Sequence, residues 1–461
     1  MKKAKTSHPT KNRPTLARTT FTTSRLLDFF SDKELTAQIG HPKSHWPLAV
    51  LVELTGNAID ACEDVAIAPV VTVKVDKSGI TVQDNGPGLP AETVTGILDF
   101  SVRVSSREHY VSPTRGAQGN ALKTIVAMPF VLDGNVGRVD ICARGVRHEI
   151  RIKVDRIKQE PVIDPQCHKD RFVKKGTRVQ VYWPDSSSSI LHAARERFLQ
   201  VADDFTWCNP HLTLTVDWFG ESRTIKATSK TWPKWLPRDP TSPHWYTLRL
   251  LERLVAGYIT EDERKGRTRT VREFVAEFSG LTGTAKQKAV LDATGLSRMD
   301  LTALRNGDGL DERKLATLLA AMKANTRPIK PEALGLIGKD HLAVRFEGAG
   351  CEMKMFKYRK LEGESNGVPT VLEIAFAATH AAFKHTGAGF LRRLITGVNW
   401  APALGATPFR QLGHESLDSI LQEQRAGYGE PVVFFMHLAS ARPRYTDRGK
   451  SAVILEADNQ A

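Results

Sequence analysis

The run Glu53-Leu54-Thr55-Gly56-Asn57-Ala58-Ile59-Asp60-Ala61 sets three polar side chains into an otherwise apolar segment, Trp46 to Val65. On a helix, Glu53, Asn57 and Asp60 fall at i, i+4 and i+7 and share one face. Polar groups on a buried face need partners. A hydrated Mg2+ carrying a triphosphate supplies them. The Asn57 amide oxygen is a hard ligand suited to Mg2+, and Glu53, one turn earlier, is placed to orient or deprotonate a water. Taken alone, the stripe also fits a half-exposed helix. Gly56 costs about 1 kcal/mol inside a helix without removing the metal ligand.

Downstream, Val70 to Val75 alternates apolar and polar residues, Lys77-Ser78-Gly79 makes a turn, and Ile80 to Val82 resumes the alternation. That pattern predicts a hairpin. Asp84-Asn85-Gly86-Pro87-Gly88 follows directly. A carboxylate at a strand end can accept from an exocyclic amine, and Gly86 and Gly88 let the backbone approach a flat base. The same residues also make an ordinary turn. Next comes Arg115-Gly116-Ala117-Gln118-Gly119-Asn120-Ala121-Leu122-Lys123, ahead of an apolar helix over 121–127. Free backbone amides at such a helix start cradle phosphates, and Arg115 and Lys123 add positive charge, although paired glycines are common in loops. Gly176-Thr177 opens a strand where a hydroxyl reaches the base. Gly449-Lys450-Ser451 looks like the tail of a P-loop, but Arg444 stands where the first Gly is required, which excludes a Walker A loop.

In order and spacing these boxes resemble those of the GHKL (Bergerat-fold) ATPases, which include gyrases, heat-shock chaperones, histidine kinases and MutL proteins. The resemblance implies ATP and Mg2+ as cofactors. Glu53 is then the general base, Asn57 the Mg2+ ligand, Asp84 the reader of the adenine amine, Gly116 and Gly119 the phosphate lid, and Thr177 an aid at the base. Asp60, Gly86, Gly88, Arg115, Gln118, Asn120 and Lys123 complete the expected ATP-binding set. One departure is Gly56, where many relatives carry an acidic residue before the Asn.

Later segments are similar to the B subunit of DNA topoisomerase VI. Ser24 to Gly40 looks like that family's helix before the Asn box, and Phe205-Thr-Trp-Cys-Asn209-Pro210-His211 like its Asn-Pro-His turn. Ser242-Pro243-His244 with the helices after it resembles its helix–two-turn–helix insert, and Val433 to Lys450 its transducer strand and loop. The expected fold class is therefore α+β: a basic arm over 1–23, a Bergerat-fold α/β sandwich ATPase domain over 24–225, a helical insert over 242–328 and an α/β transducer-like domain over 331–461. The family's transducer Lys reaches the γ-phosphate. Lys450 is the candidate, grouped with Glu53 as catalytic, with a plain surface Lys as the other reading. That family continues as a long stalk helix that engages a DNA-cleaving subunit. This chain ends at Ala461, so strand passage by the chain alone is not expected.

Composition sets the remaining bounds. Of 461 residues, 41% are hydrophobic and 25% charged, an ordinary globular balance. Lys and Arg number 65 against 51 Asp and Glu, a net charge of +14. That excess favours a polyanionic partner such as DNA, or serves solubility. The five Cys are scattered without a CxxC pair, which argues against a zinc site or disulfide framework and fits a reducing, cytoplasmic setting. No long apolar run predicts a membrane helix. The expected partners are DNA, a separate cleavage subunit and a second copy of the chain in an ATP-dependent homodimer, with Lys286, Lys288, Arg298 and Arg305 as DNA-contact candidates. The alternative is an ATPase clamp of a chaperone-like or defence system that binds a protein.

Overall fold

The computed structural model describes residues 30–98, 100, 110–115, 121–155, 157, 160–170, 173–307, 309–379, 391–405, 407–410, 412, 415–446 and 452–453. The basic arm, the residues 116–120 and Lys450 lie outside the described residues.

Helix α1 (Asp32–Ile39) starts at Ser31, whose hydroxyl accepts from the Glu34 amide, and stops at Gly40 in the left-handed region. Helix α2 (Trp46–Asp64) has Pro47 in its first turn, where the missing N–H costs nothing. Strands β1 (Val70–Asp76) and β2 (Gly79–Gln83) form the expected hairpin, paired Val75 to Ile80. Gly79 is obligatory there: its φ is +127°, and a Cβ would lie 2.1 Å from the Val181 carbonyl oxygen. Helices α3 (Ala91–Ile97) and α4 (Ala121–Asp133) follow, then β3 (Val136–Ala143), β4 (Val146–Asp155), β5 (Glu160–Lys169) and β6 (Thr177–Tyr182). Two helices follow, α5 (Ser188–Ala193) and α6 (Arg195–Cys208), and then the hairpin β7 (Thr213–Trp218) and β8 (Glu221–Ile225).

The eight strands make one sheet in the order β5-β4-β3-β6-β2-β1-β7-β8. Its pairings are antiparallel except β1 with β7. Along β1, β6 and β7 buried residues alternate with less buried ones. One face is therefore covered, and Val73, Ile80, Val139, Val181 and Leu214 pack with Leu51, Ile125, Phe198 and Phe205 of the helices. The result is a two-layer α/β sandwich.

Residues 248–324 are mainly helical: α7 (Leu248–Arg264), α8 (Val271–Ala276), α9 (Thr284–Thr294) and α10 (Glu312–Ala324). Thr270 and Glu273 form a capping box on α8, and Gly295 closes α9 in the left-handed conformation. Within this region β9 (Arg305–Asn306) and β10 (Gly309–Leu310) form a small hairpin before α10.

A second sheet is built from β11 (Lys357–Ser365), β12 (Val368–Ala378), β13 (Arg393–Val398), β14 (Ala401–Pro402) and β15 (Val432–Ser440), with α11 (Lys339–Gly348) ahead of it and α12 (Leu417–Glu423) before its last strand. The order is β11-β12-β15-β13-β14. Every residue of the central strand β15 is buried. One of its faces, with Val433 and Phe435, shares a core with Leu254, Phe274 and Leu318 of the helical region and with Trp207 of α6. The other, with Phe434 and Met436, packs against Leu417 and Leu421 of α12. The helical region and the second sheet are thus joined by a common core. All five Cys are free.

Candidate functional site

Glu53, Asn57 and Asp60 do lie along α2, but in different environments. Glu53 is half-buried and Asn57 exposed. Neither has a hydrogen-bond or ion-pair partner among the described residues. Asp60 is buried.

The loop after β2 packs on the last turns of the same helix. Asn85 clamps it: its side-chain oxygen accepts from the Val70 amide (2.8 Å) and the Cys62 thiol (3.3 Å), and its amide donates to the Ala68 carbonyl (3.0 Å). Asp84 is buried, and its Oδ1 accepts from the amides of Gly86 (2.8 Å) and Thr177 (3.1 Å). Its Oδ2 has no partner among the described residues. Burial pushes the Asp84 carboxyl up from its usual range, against those two amides. The Thr177 hydroxyl accepts from the Leu89 amide (3.1 Å), and the Thr177 carbonyl from the Asp84 amide (2.9 Å). Gly176 makes this approach possible, since at φ +78° a Cβ there would sit 1.9 Å from the Asp84 carbonyl oxygen. Gly88, also left-handed, is fixed by Arg144, whose Nε donates to its carbonyl (3.1 Å). Asp84, Gly86, Gly88 and Thr177 are therefore brought together, with one carboxylate oxygen spare.

Lys123, at the start of α4, is buried with its ammonium 6.0 Å from the Phe100 ring centroid. Gly116, Gln118, Gly119 and Asn120 belong to the undescribed stretch.

Two residues of the expected ATP-binding set have partners inside the protein. Asp60 and Arg115 face each other inside the protein. The Arg115 guanidinium pairs with Asp60, reaches Glu63 (3.1 Å), donates to the Asn209 side-chain oxygen, and reaches the Trp400 carbonyl (3.4 Å). Its charge is compensated there by two carboxylates. Two acidic groups 52 and 55 residues upstream do this, and no local pattern reveals such a pairing.

Glu63 has further partners: His211 Nε2 at 2.7 Å and Lys234 Nζ at 2.8 Å. Burial alone would raise its carboxyl. The Arg115 and Lys234 charges outweigh that and hold it well below the usual range. Burial, aided by Arg115, lowers Lys234 to about 8. The Asn209-Pro210-His211 turn thus sits in a buried network, where Asn209 also donates to the carbonyls of Phe205 (2.8 Å) and Trp400 (3.0 Å). Lys234 escapes a reading of the sequence because it lies in the connector between the expected domains.

Trp400 belongs to the β13–β14 turn. Asn399 (φ 49°) and Trp400 (φ 63°) are both left-handed, as a tight hairpin turn requires. A bulky residue there costs roughly 1–2 kcal/mol. The Trp400 amide donates to His437 Nε2 (2.9 Å), so that ring nitrogen is unprotonated. Burial drives His437 down to about 3, consistent with a neutral ring despite Glu373 at 3.8 Å.

The B subunit of type 2 DNA topoisomerase 6 from Archaeoglobus fulgidus is 22% identical over 423 residues, covering 88% of this chain and 66% of that protein. The Methanosarcina mazei protein of the same name is 21% identical over 425 residues, covering 88% and 64%. Over most of its length the chain is similar to the topoisomerase 6 B subunit. It spans less than two thirds of the length of these curated relatives. The B subunit of DNA gyrase from Myxococcus xanthus aligns over 88% of this chain and 84% of its own, at 11% identity and a TM-score of 0.38. No protein-family model matches the chain.

Among the described residues no group of three or more His, Cys, Asp or Glu could hold a metal ion, and no helix is long and apolar enough to cross a membrane.

Proposed function

We propose that the chain is an ATP-binding and ATP-hydrolysing subunit of a type 2 topoisomerase-like machine. The observation that carries this is Asp84: one carboxylate oxygen is fixed by the Gly86 and Thr177 amides and the other is left without a partner among the described residues, in a loop whose Gly86 and Gly88 pack closely against Cys62 and Gly176. A ring edge that donates from an exocyclic amine, as adenine does, complements that oxygen.

Glu53 and Asn57 lie on the preceding turns of α2 with uncommitted side chains. Asn57, an exposed amide, fits a Mg2+ that keeps most of its waters and arrives on the phosphates, since such an ion takes few protein ligands. Bound there, Mg2+ would neutralise phosphate charge. Glu53 would take the proton of the attacking water. Residues 116–120, between Arg115 and α4 in the sequence, would contribute backbone amides to the phosphates, and Lys450 would sense the γ-phosphate.

By its relatives' names, the chain would work on DNA. In this reading the region 24–225 binds ATP, 242–328 contributes basic helical surface, 331–461 relays nucleotide state, a second copy pairs with the first when ATP is bound, and a separate subunit cuts DNA. Calorimetric titration with a non-hydrolysable ATP analogue and Mg2+ tests the core of the proposal. Saturable one-site binding that is lost in Asp84→Ala is expected; its absence in the unaltered chain refutes the reading. Sedimentation with the same analogue tests dimerisation. DNA-stimulated turnover separates the DNA machine from a clamp on a protein.

A further inference from the structure

Four charged side chains meet at the last turns of α2, and the reaction proposed above uses none of them. Arg115, Asp60, Glu63 and Lys234 are only 5%, 7%, 0% and 5% exposed. Two positive charges face two negative ones, so the cluster is balanced. Its members come from three separate segments: the last turns of α2, the stretch before residues 116–120, and the connector after β8. Neutral partners fill the gaps, with Asn209 on Arg115 and His211 on Glu63.

A buried, balanced charge cluster is a poor device for stability, because apolar side chains of similar volume hold proteins together as well or better. What such a cluster adds is geometry, since bidentate and charge-assisted hydrogen bonds fix directions as well as distances. The directions here converge on one residue of the second sheet. The Trp400 carbonyl accepts from Arg115 Nε (3.4 Å) and Asn209 Nδ2 (3.0 Å). The Lys234 ammonium lies 4.7 Å from the Trp400 ring centroid. From the far side, His437 of β15 takes the Trp400 amide (2.9 Å). The left-handed turn at Asn399 and Trp400 is thereby held from both sides, and Asp60 stands one helical turn beyond Asn57.

We propose that this quartet is the joint that fixes α2, and with it Glu53 and Asn57, against the Asn399–Trp400 turn of the second sheet, making Arg115 and Lys234 positioning residues for nucleotide turnover. The turnover half of this inference rests on the ATPase reading; the mechanical half does not. A displacement of the turn reaches Glu53 through Arg115 and Asp60 along a rigid helix. Asp84 is held in addition by the amides of Gly86 and Thr177, so a shift in the same joint moves it less than Glu53.

Hydrogen exchange on the full-length chain without nucleotide tests the mechanical half. Lys234→Met removes one charge from the joint, and His437→Gln disturbs Trp400 from the opposite side. Both are expected to speed amide exchange over Glu53–Asp60 by about tenfold. The double variant Lys234→Met/Glu63→Gln restores charge balance and should return that exchange to its native level. If Lys234→Met does not fold, His437→Gln and the double variant carry the test. Faster exchange at residues 399–402 with no change along α2 overturns the joint, whether or not ATP binds.

Steady-state kinetics test the other half. Lys234→Met should lower kcat about tenfold with KM within about threefold, the pattern of a misplaced catalytic group. Equal losses in kcat/KM through KM alone overturn the positioning role. An unaltered chain that binds no ATP refutes the ATPase reading and leaves the exchange result to decide the joint.

Discussion

Helix α2 carries two kinds of polar group, and their contrast organises the molecule. In its middle turns Glu53 and Asn57 have no partners among the described residues, and beside its end Asp84 keeps a spare oxygen. In its last turns Asp60 and Glu63 are fully engaged by Arg115, Lys234 and His211. All are polar residues on or against one helix. The first kind is left incomplete, as a ligand site must be. The second is complete within the protein, as a structural joint must be.

The largest effect expected from breaking this contrast is at Glu53. Glu53→Gln should lower ATP turnover by roughly 10²–10⁴-fold, the usual contribution of a general base, while nucleotide binding in titration calorimetry stays near native. Unchanged turnover would remove Glu53 from the chemistry. Next is the joint. Arg115→Met leaves two buried carboxylates facing one lysine, and breaking a buried pair this way costs about 3–5 kcal/mol, readable in chemical denaturation. A cost below that range would place Arg115 among the dispensable surface pairs.

A smaller effect tests the spare oxygen of Asp84. Asp84→Asn keeps an acceptor for Gly86 and Thr177 but points a donor where the amine should donate. We expect nucleotide affinity to fall by about 10–100-fold, matching roughly 1–3 kcal/mol for a mispaired buried group. Melting temperature should hold or rise, because burial already disfavours the Asp84 charge. A fall in both would make Asp84 a structural residue.

Acid should separate the two places with opposite signs. His437 and His341 are both pushed by burial to about 3 in the folded protein, below the unfolded value near 6.5. Their contribution is present above about pH 6.5 and is lost as pH falls toward 3. Glu63, held low in the folded state, adds a loss in the same direction below its unfolded value. Asp84 is raised, so its contribution is greatest at acid pH and declines as pH rises through its folded value. The denaturation midpoint of the unaltered chain should therefore drop between about pH 7 and pH 5, across the unfolded His value, and drop less for His437→Gln. An equal drop would dismiss His437 as the acid-sensitive group.

The first half of this architecture was legible because its signals are local. Alternation and a Gly turn gave β1 and β2, and β6 alternates in the same way. β5 was missed because it is an exposed edge strand with two prolines, Pro161 and Pro165, and little alternation. β7 was a readable miss: Thr213 to Trp218 alternates cleanly, and Phe219-Gly220, both left-handed, turn the chain into β8. In the site, the loop from Asp84 to Gly88 announced itself by its glycines. Asp60 and Arg115 carried the right residue types for a nucleotide contact, and only long-range packing shows that each answers the other. Lys234 gave no signal at all, because a lone lysine between two tryptophans marks a core position only once the core exists.

The strand order has a consequence for synthesis. β2 is completed by β6, and Asp84 by the amide of Thr177, 93 residues further along. At roughly 5–20 residues per second, a ribosome takes on the order of 5–20 s to supply that partner. During this interval the β1–β2 hairpin must wait with a bare edge, and the far edge of β1 waits longer still, until β7 emerges. A chaperone that shields Val70–Gln83 would act in that window.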